Sequence, residues 1–292
     1  MLTPEVQKKI RQLEIVTKGH MEGPLIGDDV SAQRGYGIEF HQIREYHFGD
    51  DVRFIDWKST SRFSKMFVKE CLEERNRRVI LAVDISNSSF YGSVINRFEK
   101  MKEIAAILAF AAQHAKDSVG LILFSNEINF VLEPKNLSKH IHFLVQKLYE
   151  YVPLEKKTTN ISVVLDYVAQ KWYKDAIVFV ISDFIDDHFE RSLRVAAERI
   201  DLVAVRCYDP IERELPHVGY MMVEDIESNQ SVYIAAQGTS SSIAKKLKER
   251  LIKQNDLFVR TGTDVFDLSY EYDSCARLVE FFKRRMIHAT LR

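Results

Sequence analysis

Two short apolar runs in this 292-residue chain end on oxygen-bearing side chains, and those ends are where chemistry can be done. The first run, Val79 to Val83, gives way to Asp84-Ile85-Ser86-Asn87-Ser88, a carboxylate followed by hydroxyls at two-residue steps. The second, Ala176 to Ile181, gives way to Ser182-Asp183, and Thr158 and Thr159 add hydroxyls in a loop just ahead of a predicted helix. All of these donors are hard oxygens, which suit magnesium or manganese, whereas zinc or copper calls for the His and Cys that these segments lack. By itself the D-x-S-x-S pattern also fits ordinary turn and N-cap residues, so its weight comes from the threonine and the second aspartate that follow in order.

A sheet must bring such distant groups together. Val79–Val83, Val119–Phe124, Ala176–Ile181 and Leu202–Val205 read as strands buried on two faces. Helical spacing separates them: Phe98, Met101, Ala105, Leu108, Ala112 and Ala115; then Ile141, Leu144, Val145 and Leu148; then Phe189, Leu193, Ala196, Ala197 and Ile200. Strands alternating with helices predict an α/β fold, a mostly parallel sheet with helices on both faces, and ligands in such sheets bind beyond the carboxyl ends of the strands. Toward the C-terminus the pattern predicts a hairpin near 215–236, a helix on Ile243, Leu247 and Leu251, a last strand at Leu257–Val259, and a terminal helix through Cys275, Leu278, Val279, Phe282 and Met286.

Composition shifts near residue 78, which divides the chain into an N-terminal module, 1–77, and the α/β domain, 78–292. The module opens on a predicted amphipathic helix, with Thr3 as N-cap, Pro4 at its first position and Val6, Ile10, Leu13 and Val16 on one face. Residues 23–57 are dense in Gly and charge and read as turns and short strands. The interleaved Arg34, Arg44, Arg53 and Arg62 can pair with Glu39, Glu45, Asp50, Asp51 and Asp56, the commoner outcome, or be presented to an acidic partner. Trp57, beside Asp56 and Lys58, reads as a module-to-sheet packing anchor rather than a base-stacking platform.

The oxygen set resembles the metal-ion-dependent adhesion site (MIDAS) of von Willebrand factor A domains, and Thr159-Asn160-Ile161, with Leu165 six residues after the threonine, is similar to the segment carrying that motif's threonine. The resemblance implies a von Willebrand factor A-like, Rossmann-like sheet in which Ser86, Ser88 and Thr159 are hydroxyl ligands of Mg2+ or Mn2+. It implies Asp84 and Asp183 as carboxylates that hold ligating waters. Thr158 competes with Thr159 for the threonine's place, a slip of one residue. Neutral hydroxyls leave much of a cation's charge uncompensated, so an open coordination position would attract an acidic side chain from a partner.

Further motifs widen the resemblance. Arg34-Gly35-Tyr36-Gly37-Ile38-Glu39-Phe40, Arg44-Glu45-Tyr46, Gly49 to Lys58 and Ser61-Arg62 resemble the N-terminal signature of the bacterial family catalogued as domain of unknown function 58. Asp209-Pro210, Glu212, Leu215-Pro216 and Gly219 resemble its downstream segment. Members pair this signature with a von Willebrand factor A-like domain, many are encoded beside MoxR-type AAA+ ATPases, and some carry membrane segments. The resemblance therefore implies an adaptor or co-chaperone that works with such an ATPase.

Composition bounds the alternatives. With 46% hydrophobic and 28% charged residues, 11 Gly and 6 Pro, the chain is globular. Its 41 Lys plus Arg against 42 Asp plus Glu give a net charge of −1, so no bulk field recruits nucleic acid. No apolar run has the length of a membrane span or a signal-peptide core, and the three cysteines, Cys71, Cys207 and Cys275, form no framework, which together predict a cytoplasmic protein. A magnesium-dependent phosphoryl hydrolase using Asp84 and Asp183 is the alternative function, but Ser86 stands where an Asp-x-Asp nucleophile pair would need its second carboxylate, and no Walker-type lysine accompanies the site. A non-enzymatic interaction protein is the favoured expectation. Gly35 and Gly37 lack the rest of a nucleotide-binding fingerprint, His140 and His142 read as surface residues, Cys207 lacks an adjacent base, and Glu212-Arg213-Glu214 reads as a solvated loop.

Overall fold

The computed structural model describes residues 39–48, 50–63, 65–72, 77–152, 158–171, 176–213, 217–224, 231–237 and 242–290, together with Lys8 and Arg11. The predicted N-terminal helix thus lies outside the described residues, except for those two, which are helical. Contacts fall into two compact units, one containing Arg77–Arg284 and the other containing Ile26–Asn76 together with the residues from Arg285 onward.

In the smaller unit β1 (Glu39–Glu45) pairs antiparallel with β2 (Phe67–Leu72), with a bulge between Phe40 and Gln42, and α1 (Trp57–Phe63) lies between them in the chain. Of its interleaved arginines, Arg44 and Arg53 pair internally, and Arg34 lies outside the described residues. Arg44 grips Asp50 with two contacts of 2.7 Å, Arg53 pairs with Asp51, and Lys65 pairs with Glu45. The Arg44 guanidinium and the His47 N–H hold the Asp50 carboxyl well below the usual carboxylate range. Trp57 opens α1 and is 66% exposed.

The larger unit is built on six strands: β3 (Arg78–Asp84), β4 (Ser118–Phe124), β5 (Ile128–Lys135), β6 (Ala176–Ser182), β7 (Asp201–Cys207) and β10 (Asp264–Leu268). Their order is β10-β7-β6-β3-β4-β5, all parallel except β5, which returns antiparallel at one edge. Counted within the sheet this is the doubly wound order 3-2-1-4-5-6, whose direction of growth reverses between β3 and β6. The α/β architecture expected from the sequence is therefore present. A separate hairpin, β8 (His217–Glu224) with β9 (Ser231–Gln237), lies where the insertion was predicted.

Strand side chains alternate between the faces. Ile80, Ala82, Val178, Val180, Leu202 and Ala204 face α4 (Ile161–Lys171), α5 (Glu190–Ala197) and Phe258 in a single buried cluster. On the opposite register Phe179 meets Phe282 edge-on at 6.2 Å, and α2 (Arg97–His114) packs across the sheet beside α3 (Ser138–Glu150). Burial of α2 extends almost around its circumference, Lys100 and Lys102 included. Lys100 donates to the Tyr272 carbonyl, and Lys102 lies over the Phe98 and Tyr149 rings. Beyond α5 lie the short α6 (Pro210–Arg213), α7 (Ser242–Thr261) and the terminal α8 (Ser274–Thr290).

One predicted strand is corrected. Leu257–Val259 belongs to α7, because Leu247, Leu251 and Phe258 continue one helical stripe, and the last strand starts five residues after Val259, at Asp264. Gly262, at φ +68°, closes the helix: its N–H reaches the Val259 carbonyl and the Thr263 N–H reaches that of Phe258. The two histidines also part company. His140 is half-buried with Nε2 at 2.9 Å from the Val119 carbonyl, so the surface expectation holds for the exposed His142 alone.

Gly120 lies where β5 crosses close to β4. A Cβ there would stand 2.9 Å from the Leu132 carbonyl oxygen and 3.2 Å from Ile80 Cδ1, and the carbonyl is backbone that cannot swing away. Gly120→Ala is expected to cost about 1–3 kcal/mol, read as a lower urea midpoint at unchanged slope. An unchanged midpoint would show that β5 yields freely.

Candidate functional site

The rim of the sheet at the reversal point is made by the ends of β3 and β6. These strands pair with Val83 opposite Ile181, so Asp84 and Ser182 emerge side by side, and Ser182 Oγ donates to Asp84 Oδ2 at 2.7 Å. The other Asp84 oxygen accepts the Ser86 N–H at 2.8 Å, while the Ile85 N–H donates to the Phe124 carbonyl of β4. That pins the start of the loop. A single 3-10 turn over Asn87–Phe90 then places the Ser86 and Ser88 hydroxyls 3.1 Å apart.

A third hydroxyl arrives from the segment before α4. Thr159 Oγ1 donates to Ser86 Oγ at 2.7 Å and lies 3.5 Å from Ser88 Oγ. The Asn160 N–H holds this segment to the Ser125 carbonyl, and the Ile161 N–H is capped by Asp186. Thr158, one residue earlier, is exposed, and Thr159 is the threonine that meets the serines.

Asp183, one residue beyond β6, completes the group. Its Oδ1 accepts the Ile185 N–H at 3.0 Å, and its Oδ2 accepts Nη1 of Arg97 at 2.5 Å. Phe184 between them sits at φ +56°, a left-handed backbone that costs a side-chain-bearing residue about 1–2 kcal/mol. Burial holds it there: its ring lies edge-on to Phe189 and Phe258, its N–H donates to Ser182 Oγ, and its carbonyl accepts Gln254 Nε2. One chain of contacts thus runs from Phe184 through Ser182 to Asp84.

Electrostatics follow from burial. Asp84 is fully buried, and burial first, then the negative charge of Asp183, push its carboxyl up to about 7 against the hydrogen bonds from Ser86 and Ser182. Arg97 is the residue that sequence reasoning missed. It opens α2, is 5% exposed, and joins Asp183, the Ser88 carbonyl and Glu212 of α6. Burial works against its charge, and the two carboxylates more than offset that, raising it above its ordinary value. Glu212 is accordingly part of this network and partly buried, a correction to its reading as a solvated loop; burial lifts its carboxyl above the ordinary value despite Arg97. Nothing local in the sequence marks Arg97. Cys207 is buried, with its thiol pushed up to about 12 by that burial, so it is an inert core residue.

The structure therefore brings Asp84, Ser86, Ser88, Thr159 and Asp183 to one rim. Among the described residues no three His, Cys, Asp or Glu side chains form a metal cluster, so a cation here would depend on hydroxyls. Three mutually adjacent hydroxyl oxygens beside two carboxylates are a hard, oxygen-only set, which fits magnesium or manganese with retained waters and fits zinc poorly. Tyr91, Val94, Ile95 and Ile185, on the segments that leave the rim, are exposed apolar residues. No helix among the described residues is long and apolar enough to cross a membrane.

Sequence and structure comparisons place the chain among relatives. It is 26% identical over 228 residues to the uncharacterized protein Rv1480 of Mycobacterium tuberculosis, covering 77% of this chain and 72% of that protein. Among solved structures it is similar to the conserved hypothetical protein BatB from Bacteroides thetaiotaomicron, at TM-score 0.46 and 16% identity over 73% of this chain and 99% of that one. It is also similar to the SpRpn10 VWA domain, at TM-score 0.39 and 12% identity over 70% and 93%. Residues 42–254, the larger part of the chain, match the family model described as protein of unknown function DUF58, and the chain belongs to that family.

Proposed function

We propose that this protein is a non-enzymatic interaction module that captures an acidic side chain of a partner through a divalent cation, Mg2+ or Mn2+, held in a MIDAS-like site by Ser86, Ser88 and Thr159, with Asp84 and Asp183 behind them. The observation that carries the reading is the packing of three hydroxyls from two distant segments within 2.7–3.5 Å of one another at the sheet's reversal point. Bound there, the cation would supply Lewis acidity and an open position for an anionic ligand. Exposed Tyr91, Val94, Ile95 and Ile185 offer apolar contact to the same partner. The family resemblance makes a MoxR-type AAA+ ATPase the proposed associate. The buried free thiols of Cys207 and Cys275 support a reducing, cytoplasmic setting.

Phosphoryl hydrolysis by Asp84 and Asp183 finds less support. Both oxygens of each carboxylate already accept hydrogen bonds, from Ser86 and Ser182 in one case and from Ile185 and Arg97 in the other. Ser86 also stands where a nucleophile pair would need its second carboxylate.

Ser86→Ala tests the proposal. The substitution is expected to abolish Mn2+ binding, followed by the electron paramagnetic resonance signal of free Mn2+, and to abolish magnesium-dependent capture of an ATPase partner, with the far-UV spectrum unchanged. Capture that persists in excess chelator would remove the proposal.

A further inference from the structure

Arg97 is an unusual residue for its position. It is the first residue of α2, behind an N-cap in which Asn96 Oδ1 accepts the Phe98 N–H, and the positive end of the helix dipole disfavours a cation there. It is also almost wholly buried, and its Nε has no hydrogen-bond partner among the described residues. Such a placement is tolerated only because acceptors surround it. Nη1 is divided between Asp183 Oδ2 and the Ser88 carbonyl, Nη2 meets Glu212 Oε1, and Glu212 Oε2 is fixed in turn by the Asp209 N–H at 3.1 Å. Asp209 is itself tied to Ser93 through the Ser93 N–H and hydroxyl.

We propose that Arg97 is the site's resident counter-cation, and that Arg97 and Glu212 set with opposite sign how tightly a divalent cation is held. The inference rests on the reading that Asp84, Ser86, Ser88, Thr159 and Asp183 form a cation site. Arg97 weakens cation binding because its charge already satisfies Asp183 and repels a second cation beside it. Glu212 strengthens binding because it draws the guanidinium's charge toward α6 and away from the rim. The segment around Asp209 and Glu212 thereby acts as the tuning element of a site to which it contributes no ligand.

Mn2+ titration of wild type, Arg97→Gln, Glu212→Gln and Ser86→Ala, with melting temperatures of each protein, decides the matter. Arg97→Gln is expected to bind Mn2+ about tenfold tighter and Glu212→Gln about tenfold weaker, the scale on which groups just outside a metal's ligands act. A purely structural role for the network would weaken binding in both. Where Arg97→Gln does not fold, Glu212→Gln carries the test: unchanged or tighter binding overturns the inference, and so does weaker binding that comes with a lowered melting temperature, the mark of a structural role. If wild type binds in a Ser86-dependent way and Arg97→Gln binds no tighter, the inference fails while the site stands. If wild type does not bind and Arg97→Gln does, the inference stands and the site as a working receptor in the native chain falls. Absence of binding in every protein overturns both.

Discussion

Phe184→Ala is expected to be among the most damaging single substitutions in the domain, costing about 3–5 kcal/mol. The ring is 1% exposed and is the centre of an aromatic group, 5.9 Å from Phe189 and 5.4 Å from Phe258, so truncation leaves a void lined by rings that cannot collapse together. The loss does not stop at packing. Phe184 is the residue held at φ +56°, and the ring's burial is what keeps the backbone turned so that Asp183 faces Arg97. Phe184→Ala should therefore also weaken Mn2+ binding. The left-handed backbone supplies an internal control. Glycine adopts it without penalty, so Phe184→Gly is expected to be no worse than Phe184→Ala, whereas at Phe124, at the end of β4, glycine should be the worse of the two. Urea denaturation of the four variants measures this. A loss below about 1 kcal/mol for Phe184→Ala would show that the rim is held by something other than this ring.

The second large effect is electrostatic. Asp84→Asn is expected to melt higher than wild type at pH 8 in chelator, and to lose the stabilisation that magnesium gives wild type. In the native state burial and Asp183 raise the Asp84 carboxyl from about 3.8 to about 7. The folded protein thus holds this proton more tightly than the unfolded chain does. The resulting contribution to stability is fully present below about pH 4 and is lost as the pH rises to about 7, where the native state carries an ionised buried carboxylate at a cost on the order of a few kcal/mol. Asparagine never ionises, and its carbonyl can still accept the Ser86 N–H while its amide faces Ser182 Oγ. The gap between variant and wild type should open between pH 4 and 7 and stay constant above. Saturating magnesium should reverse the trend in wild type, because a cation favours the ionised carboxylate, and binding should weaken as the pH falls below 7. Identical pH profiles of melting temperature for the two proteins would show that Asp84 carries no such penalty.

Much of this architecture was legible in the chain. Val79–Val83 and Ala176–Ile181 could be read as central strands because strands buried on both faces must be apolar throughout, and their polar ends had to lie at the rim. In D-x-S-x-S only the step from Asp84 to Ser86 follows extended chain, where residues two apart return to one side, and the 3-10 turn over Asn87–Phe90 brings Ser88 beside Ser86. The misreading of Leu257–Val259 has a plain cause: three apolar residues in a row carry no period, and the signal that resolves them, Thr261-Gly262-Thr263 closing a helix, lies just downstream.

From the sequence alone came the four buried strands β3, β4, β6 and β7, their order of appearance and the inventory of oxygens at the ends of β3 and β6, since burial and periodicity are local properties of a chain, whereas the edge strands β5 and β10 were not read from it. Tertiary structure alone decided which threonine meets the serines, that Phe184 bends backwards to aim Asp183, and that Arg97 stands between Asp183 and Glu212. Those two acceptors lie 86 and 115 positions away from Arg97. A buried arginine and an exposed one are the same letter, and what separates them is the set of carboxylates that folding carries to it, which no local pattern encodes.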